Sequence, residues 1–431
     1  MRGTCFACSP GSKPDGRSGL ESTLSYRIPE APRKRTLLHI PESHTLFTGP
    51  SSCMRRHSLA ARQYGNIENI SCLCITQADV ISGNYEDLIV EAAGELLETL
   101  RRRPRIIFID LFCIDDFLGT DDESLAGALA AAYPDTRFAV EHIHPVALNE
   151  KVSMGEVDHF NLYSFVDPVP PDEHDGGVNV LGAFVPFNPR SEFFRVLEQM
   201  EAGPVRYLHA CSTFGEYQDM GKSSLALVAR ALGRTAAEDM RDRLGIPFMS
   251  FPACYDCDQV GADYKRMAQL LGKPEPDLSE WDRRARSAVK QTVEVLGDVP
   301  LAVDCEGSLV PHSLARALLD YGFNVRWLFR SKHLFDTDAD DREVLAARYP
   351  DLSIARVDDA RLHVDAMVGG RDIRRRKDVL AIGRSAACIL GTPYYIDMWH
   401  DEGFTGYHGI CELMRLMRGQ RARMEGKEAA L

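Results

Sequence analysis

The sequence predicts an α/β protein built on parallel sheets, and three observations support this class. Short, almost wholly apolar runs such as RIIFIDLF and LAVDCEG alternate with longer amphipathic stretches. Runs that are apolar on both faces are typical of strands in parallel sheets that helices cover on both sides. A chain of 431 residues is also too long for one hydrophobic core, so we expect several such sheets.

The predicted strands are, in order, RTLLHI, HTLFTG, ISCLCI, RIIFIDLF, RFAVEHI, NVLGAFV, VRYLHAC, IPFMSF, LAVDCEG, NVRWLF, DVLAIG and CILGTPYYI. Two helices are predicted most clearly between them. YEDLIVEAAGELLETLRRR repeats apolar residues at helical spacing from Leu88 to Leu100. SSLALVARALGRTAAEDMRDRLG does the same from Leu225 to Leu244 and ends on Gly245, a typical residue after a helix.

Three segments rich in Pro, Gly or charged residues interrupt the alternation. Residues 9–36 indicate an arm, residues 168–178 a linker, and residues 272–282 a break before a charged helix. The predicted division is an N-terminal arm over 1–36 and three Rossmann-like domains over 37–170, 171–296 and 297–431. Their similar size suggests one architecture used three times.

The overall charge excludes one class of partner. Lys and Arg number 50 and Asp and Glu 63, a formal charge of −13, so we expect no extended basic face for nucleic acid. No apolar run approaches the length of about 18 residues that a membrane helix needs. The start MRGTCFACSPGSKPDG lacks the apolar stretch of a secretory signal. We therefore expect a cytoplasmic protein that binds neither nucleic acid nor membrane.

The 12 cysteines need an explanation in a reducing compartment. Disulfides are improbable there, so metal ligation or redox chemistry gains weight. Cys211, Cys305 and Cys388 lie in apolar strand-like runs, and Cys411 lies in an apolar helix. These four are expected to be packing residues, because free cysteine is among the most buried residue types.

Two local motifs are near misses. MGKSS at 220–224 resembles the end of a phosphate loop, but five residues separate Gly215 from Gly221 where that loop has four. We therefore interpret GKSS as a helix N-terminus capped by its serines. Two CxxC pairs exist, Cys254 with Cys257 and Cys5 with Cys8, and nothing in the sequence requires zinc or thioredoxin-like chemistry at either.

A third set of cysteines is more informative. Cys53 ends the GPSSC turn after HTLFTG, Cys74 lies with Cys72 in ISCLCI, and Cys113 follows RIIFIDLF. Each is expected at or near the carboxyl edge of the first parallel sheet, where loops from neighbouring strands meet and ligands bind. Three thiols at one edge favour an iron–sulfur cluster over zinc.

The order of these segments resembles the nitrogenase component 1 family: molybdenum–iron protein subunits, cofactor-assembly scaffolds and dark-operative (proto)chlorophyllide reductases. In that family a strand ends in His-Gly-Pro-x-x-Cys, a Val-Phe-Gly-Gly segment opens a helix, and a later strand ends in Cys before Ile-Gly-Asp-Asp. The counterparts here are TGPSSC ending at Cys53, VISG at 80–83 and CIDDFLGTDD beginning at Cys113. RLGIPFMSFPAC, LAVDCEGSLVPHSLARALLDYGFNV and WHDEGFTGYHGICELMRLM extend the resemblance from about residue 37 to the C-terminus.

The resemblance implies a ligand set and also shows departures. The family has a further cluster cysteine upstream of the Gly-Pro turn, for which Cys8 is the best candidate and Cys5 the alternate. Ala229 stands where the nitrogenase catalytic subunit has the cysteine that anchors its large cofactor. His400 lies close to the position of the family's cofactor-ligating histidine, and a structural role for it is equally open.

The function that the resemblance implies is electron transfer to a small-molecule substrate. An ATP-dependent iron–sulfur reductase would deliver electrons to a 4Fe–4S or larger P-cluster-like cluster, with clusters and pocket at the domain and subunit interfaces. The expected cluster residues are Cys8, Cys53, Cys74 and Cys113, and a sister subunit or a second copy would complete a dimer or heterotetramer.

The substrate side of the site is less specified. His400 and Cys254 are the expected catalytic residues, with His408, Cys257 and Arg330 as further candidates near strand ends. Two alternatives stay open: a non-catalytic partner subunit or scaffold for cofactor assembly, and an unrelated α/β binding protein with buried cysteines.

Overall fold

The structure is a computed structural model that describes residues 39–63, 65–143, 154–330, 339–357, 359, 362 and 376–427. The whole predicted N-terminal arm, including Cys5 and Cys8, lies outside these residues. The strands are β1 Ser43–Gly49, β2 Ile70–Cys74, β3 Ile106–Phe112, β4 Arg137–Ile143, β5 Gly177–Leu181, β6 Val205–Arg206, β7 Ser223–Val228, β8 Phe248–Ser250, β9 Leu301–Asp304, β10 Val325–Arg330, β11 Ser353–Arg356, β12 Leu380–Ile382 and β13 Tyr395–Ile396.

Helices lie between most of these strands, as the sequence predicts. They are α1 Ser51–Gln63, α2 Gln77–Ser82, α3 Tyr85–Thr99, α4 Asp115–Leu118, α5 Asp122–Ala132, α6 Met154–Ser164, α7 Phe193–Gln199, α8 Phe214–Gln218, α9 Arg234–Leu244, α10 Cys257–Leu271, α11 Ser279–Leu296, α12 Pro311–Asp320, α13 Ala339–Arg348, α14 Arg384–Leu390 and α15 Gly406–Met424.

The strands form three parallel sheets. Sheet A has the order β2-β1-β3-β4, sheet B the order β6-β5-β7-β8, and sheet C the order β11-β10-β9-β12-β13. Every strand pair within them is parallel. The predicted α/β class with parallel sheets is therefore confirmed.

All three sheets share a reversal of strand order at their first strand. The first strand in the sequence (β1, β5 or β9) lies inside its sheet, with the next strand on one side and a later strand on the other. Where the order reverses in this way, neighbouring loops leave the sheet in opposite directions and open a crevice at the carboxyl ends of the strands. In sheet A this point lies between β1 and β3.

The described residues divide into two compact units. The N-terminal unit comprises residues 39–184 and 203–250, with sheets A and B, and the C-terminal unit comprises 185–202 and 251–427, with sheet C. Neither unit is one continuous stretch of chain. The domain boundaries expected near residues 170 and 296 remain a prediction.

Sheet A is covered on one face by helix α3, which the sequence predicts, although its buried face differs from the predicted apolar positions. Helix α3 buries Tyr85, Ile89, Ala93 and Leu96, which are three or four residues apart and so share one face. They pack in one apolar cluster with alternate residues of β3, including Ile109. This packing holds β3, and the turn that follows it, in a fixed place.

One predicted helix is wrong in its first half. Ser223–Val228 is β7, an interior strand of sheet B, and the helix begins only at Arg234. Lys222 ends a 3-10 turn, so GKSS is not a helix N-terminus. A short apolar run that is buried on both faces fits either period, and spacing alone cannot distinguish a strand from a helix there.

Three of the four cysteines expected to be packing residues lie in different settings from those predicted. Cys388 lies within α14, which ends at Gly391 in the left-handed conformation, so the strand prediction for CIL is wrong. Cys305 lies one residue beyond β9, and Cys211 follows a 3-10 turn. Cys411 lies in a helix, as predicted. All four are half-buried.

Candidate functional site

At the carboxyl edge of sheet A, Cys53 and Cys113 lie beside the point where the strand order reverses, between β1 and β3. β1 ends at Gly49, α1 begins at Ser51, and Cys53 lies in the first turn of that helix. The Cys53 N–H donates to the Pro50 carbonyl at 3.0 Å, which closes the Gly-Pro turn. Cys113 directly follows Phe112, the last residue of β3.

Gly49 is required by a close approach between these two strand ends. A Cβ atom at Gly49 would lie 2.8 Å from the Cβ of Phe112, closer than real Cβ atoms approach. Glycine therefore lets β1 and β3 end side by side. The turn with Cys53 and the turn with Cys113 leave from these adjacent ends.

Cys74 lies at the same edge on the neighbouring strand. It is the last residue of β2 and pairs with Gly49 in the parallel register. Cys74 is exposed, whereas Cys53 and Cys113 are half-buried. The structure therefore brings Cys53, Cys74 and Cys113 to one edge of one sheet, as the sequence predicts, and Cys8 lies outside the described residues.

Cys72 is a fourth thiol on this part of the sheet. It lies in the predicted strand ISCLCI but was not among the expected cluster residues. It is exposed and lies two residues before Cys74, on the same face of β2. Its Sγ lies 4.0 Å from the Ser58 hydroxyl on α1. The CLC spacing could have indicated Cys72, because residues two apart in a strand lie on the same face, here the face beside α1.

A small apolar cluster lies beneath Cys53. Phe47, Met54 and Phe112 are buried, and the Cys53 side chain packs against them. The His57 ring lies 4.9 Å from the ring of Phe47. This apolar floor would keep water from one side of a group bound at the edge.

The donor set at this edge is sulfur. Among the described residues, no three His, Cys, Asp or Glu side chains converge closely enough to hold one metal ion. Thiolates are the usual ligands of iron–sulfur clusters, so the chemistry of Cys53, Cys74 and Cys113 fits such a group.

The predicted catalytic residues lie in the C-terminal unit. His400 and Asp401 form a turn beyond sheet C in which both residues have positive φ, +48° and +58°. Non-glycine residues in this conformation cost about 1–3 kcal/mol each and persist where the surroundings fix them. Here the two N–H groups donate to the carbonyls of Glu306 and Gly307, at 2.8 and 3.1 Å.

The Asp401 carboxylate anchors the same turn. It accepts hydrogen bonds from the Tyr255 hydroxyl at 2.6 Å, the Ser308 hydroxyl at 3.0 Å and the Leu309 N–H at 2.7 Å. Tyr255 directly follows Cys254 in the chain. The turn of His400 and the segment of Cys254 are therefore joined through one buried polar network.

Cys254 itself is a protonated thiol at neutral pH. It is 9% exposed, and burial raises its pKa to about 12. Its Sγ donates to the Asp256 carbonyl at 3.7 Å. Burial also raises the pKa of Cys257. Neither thiol of this CxxC pair is poised as a thiolate nucleophile.

Asp304 is a polar residue at the carboxyl edge of sheet C that the sequence did not single out. It ends β9 and is fully buried, and burial raises its pKa to about 7. Its carboxylate accepts the N–H groups of Glu306, Gly307 and Ala386 at 2.9, 2.7 and 2.6 Å. The signal was an acidic residue at the end of the apolar run LAVD.

The chain matches the model of a known protein family. This model, described as nitrogenase component 1 type oxidoreductase, matches residues 34–419. The chain belongs to the nitrogenase component 1 type oxidoreductase family. A comparison with the sequences of curated proteins gives no match.

Solved structures of nitrogenase component 1 share the fold. One, titled "Nitrogenase Cp1 at pH 6.5", aligns with a TM-score of 0.67 and 14% identity over 91% of this chain and 93% of the other. A second, "Nitrogenase Cp1 at pH 5", aligns with a TM-score of 0.57 and 15% identity over 89% and 85%. Membership in the component 1 family supports an oxidoreductase, or a scaffold subunit related to one.

No helix in the described ranges combines the length and the apolar character needed to span a bilayer.

Proposed function

We propose that this chain is a subunit of a nitrogenase-like iron–sulfur oxidoreductase. It would receive electrons from a separate ATP-dependent reductase and reduce a small molecule in the cytoplasm. The observation that carries the proposal is that Cys53, Cys74 and Cys113 lie at the carboxyl edge of sheet A, where its strand order reverses. Family membership independently favours redox chemistry.

The proposed cofactor is a 4Fe–4S or larger P-cluster-like cluster. Cys53, Cys74 and Cys113 would be three of its ligands, and Cys8 or a second subunit would supply the next. When bound, such a cluster accepts and releases single electrons. Gly49 and the Gly-Pro turn let the backbone approach the cluster, and the apolar residues around Phe112 exclude water beneath it.

We propose that a second subunit, either a copy of this chain or a sister chain, packs beside the outer strand β2. β2 is an outer strand of sheet A. Large apolar side chains around it are exposed: Leu59 on α1 at 60%, Ile67 before β2 at 44% and Ile81 on α2 at 84%. An exposed apolar rim beside an outer strand is typical of an interface. Sedimentation of an iron-loaded monomer would contradict this part.

The requirement for a separate reductase is supported by the failed phosphate loop. A phosphate loop follows a strand, whereas MGKSS runs from a 3-10 turn into the first two residues of β7, and the Lys222 amine pairs with Asp219 at 2.8 Å. We therefore expect no ATP hydrolysis by the pure chain. ATPase activity that Lys222→Ala abolishes would overturn this expectation.

His400 and Cys254 are proposed as the substrate-side residues. The shared network through Asp401 and Tyr255 supports a common site for them. Because Cys254 is protonated at neutral pH, its available role is as a hydrogen-bond or proton donor. Retained iron with lost turnover in Cys254→Ala would be the expected result.

The alternative is a non-catalytic partner or cofactor-assembly scaffold. Ala229, at the end of β7, favours it, because the resemblance gives a cofactor-anchoring cysteine at this position in the catalytic subunit. Reductive turnover with a matching reductase distinguishes the two, since a scaffold would hold iron without turnover.

The deciding experiment is iron and sulfide analysis, with the visible spectrum, of full-length protein purified without oxygen. Cys53→Ala and Cys113→Ala should each lose most of the iron and the visible absorption. The controls Cys211→Ala and Cys388→Ala replace half-buried cysteines elsewhere and should cost only about 1–2 kcal/mol of stability. Full iron in the first pair, or iron loss in the controls, would refute the assignment.

A further inference from the structure

A buried carboxylate lies two residues after Cys113. Asp115 begins α4 and is 1% exposed. Its Oδ1 accepts a hydrogen bond from the Thr120 hydroxyl, across the loop that follows α4. Burial raises the pKa of Tyr85, at the start of α3, and the nearby Asp115 carboxylate raises it further.

His142 contacts this carboxylate from a third element. It lies in β4, beside Leu111 of β3 in the sheet register. Its Nδ1 lies 3.4 Å from Asp115 Oδ2, and its Nε2 lies 2.7 Å from Asp122 Oδ1 on α5. The imidazole thus joins a carboxylate whose side chain is 2% exposed to one that is 49% exposed.

These contacts restrict the turn that carries Cys113. A buried carboxylate must keep its partners, because leaving one unpaired is costly. Asp115 has partners on the loop after α4 and on β4, so its side chain is held by two separate elements. Cys113 lies between Phe112, the last residue of β3, and this held carboxylate two residues further along the chain.

We propose that Asp115 and His142 are positioning residues for the Cys113 ligand. The inference rests on the proposed function, since it requires Cys113 to bind the cluster. Groups that hold a metal ligand from behind set its orientation and the retention of the metal. Asp115 lies two residues from Cys113, so replacing its side chain would also change the polar surroundings of a cluster bound there.

The test compares full-length protein purified without oxygen as wild type, Asp115→Asn, His142→Gln and Asp87→Asn. Asp87 is an exposed residue on α3 and serves as the matched control for a lost carboxylate. We expect Asp115→Asn and His142→Gln to release iron to a chelator roughly 10- to 100-fold faster than wild type. Asp115→Asn should also move the midpoint potential of the visible absorption to more positive values. Asp87→Asn should change neither.

A second measurement does not depend on the cluster. In iron-free protein, mass spectrometry gives the alkylation rate of Cys113, which should change in Asp115→Asn and His142→Gln but not in Asp87→Asn. His142 is partly exposed, so its variant carries the test if Asp115→Asn does not fold.

The outcomes separate this inference from the proposed function. Full iron in Cys113→Ala would refute the ligand assignment itself. Iron loss in Cys113→Ala, together with wild-type iron release and potential in both positioning variants, would refute only the inference. Unfolding of both variants while Asp87→Asn stays folded would overturn it in favour of a purely structural role.

Discussion

Glu192 joins helix α7 to the first turn of α15, and its replacement gives a sharp test of stability in the C-terminal unit. It is 3% exposed. Its Oε1 accepts the Tyr407 N–H at 2.7 Å and the Tyr264 hydroxyl at 2.8 Å, and its Oε2 accepts the His408 N–H at 3.0 Å. Gly406 is required beside it, because a Cβ there would collide with Oε1.

The change Glu192→Gln keeps the size of the side chain and removes its charge. One carboxylate oxygen becomes an NH2 group, which must face a backbone N–H or the Tyr264 hydroxyl. A hydrogen bond to a charged group contributes about 1.5–3 kcal/mol, and a buried donor left without an acceptor costs about 1–3 kcal/mol. A negative charge at a helix N-terminus adds up to about 2 kcal/mol. We expect a loss on the order of 3 kcal/mol in the free energy of unfolding.

The assay uses urea and tryptophan fluorescence. The chain has 3 tryptophans, Trp281, Trp327 and Trp399, and all lie in the C-terminal unit, so the signal reports that unit. The control is Glu198→Gln, an exposed residue on the same helix, which should stay within about 0.5 kcal/mol of wild type. A Glu192→Gln midpoint equal to that of the control would refute the reasoning.

Three further predictions follow from buried or close-packed groups. Gly49→Ala should destabilise the N-terminal unit by about 1–3 kcal/mol in thermal unfolding followed by circular dichroism, because its Cβ meets Phe112 at 2.8 Å; an unchanged melting curve would contradict this. The pKa of Asp304, raised by burial from 3.8 to about 7, makes the folded state prefer the acid, so urea stability of the C-terminal unit should fall as pH rises between these values. Asp304→Asn should flatten that dependence, and an unchanged slope would argue against it. Cys254 should resist alkylation at pH 8 while exposed Cys74 reacts, as measured by mass spectrometry, and equal rates would contradict its burial.

The sequence predicts the class of the fold and the thiol edge because both depend on local signals. Strand ends followed by turns can be read directly, and parallel strands bring their carboxyl ends to one edge. This is why Cys53, Cys74 and Cys113 are found where expected. The predicted helix from Leu225 failed because an interior strand and a buried helix segment share the same apolar run.

The polar networks could not be predicted, because they join residues that are distant in sequence. Asp401 meets Tyr255 across 146 positions, and Glu192 meets Tyr407 across 215. No periodicity or motif links such residues. His142 lies in a run whose pattern indicates only a strand. Its contact with Asp115 becomes apparent only when β3 and β4 are paired.

The separation between Glu192 and α15 has a consequence for synthesis. At translation rates of about 5–20 residues per second, the 215 residues between Glu192 and Tyr407 take roughly 10–40 s to be made. During that interval helix α7 has been made but α15, whose first turn Glu192 contacts, has not. The apolar face of α7, with Phe193, Val196 and Leu197, therefore lacks part of its final environment. The nascent chain therefore passes through a long period in which a chaperone can bind it, and its yield in a foreign host should depend on translation speed.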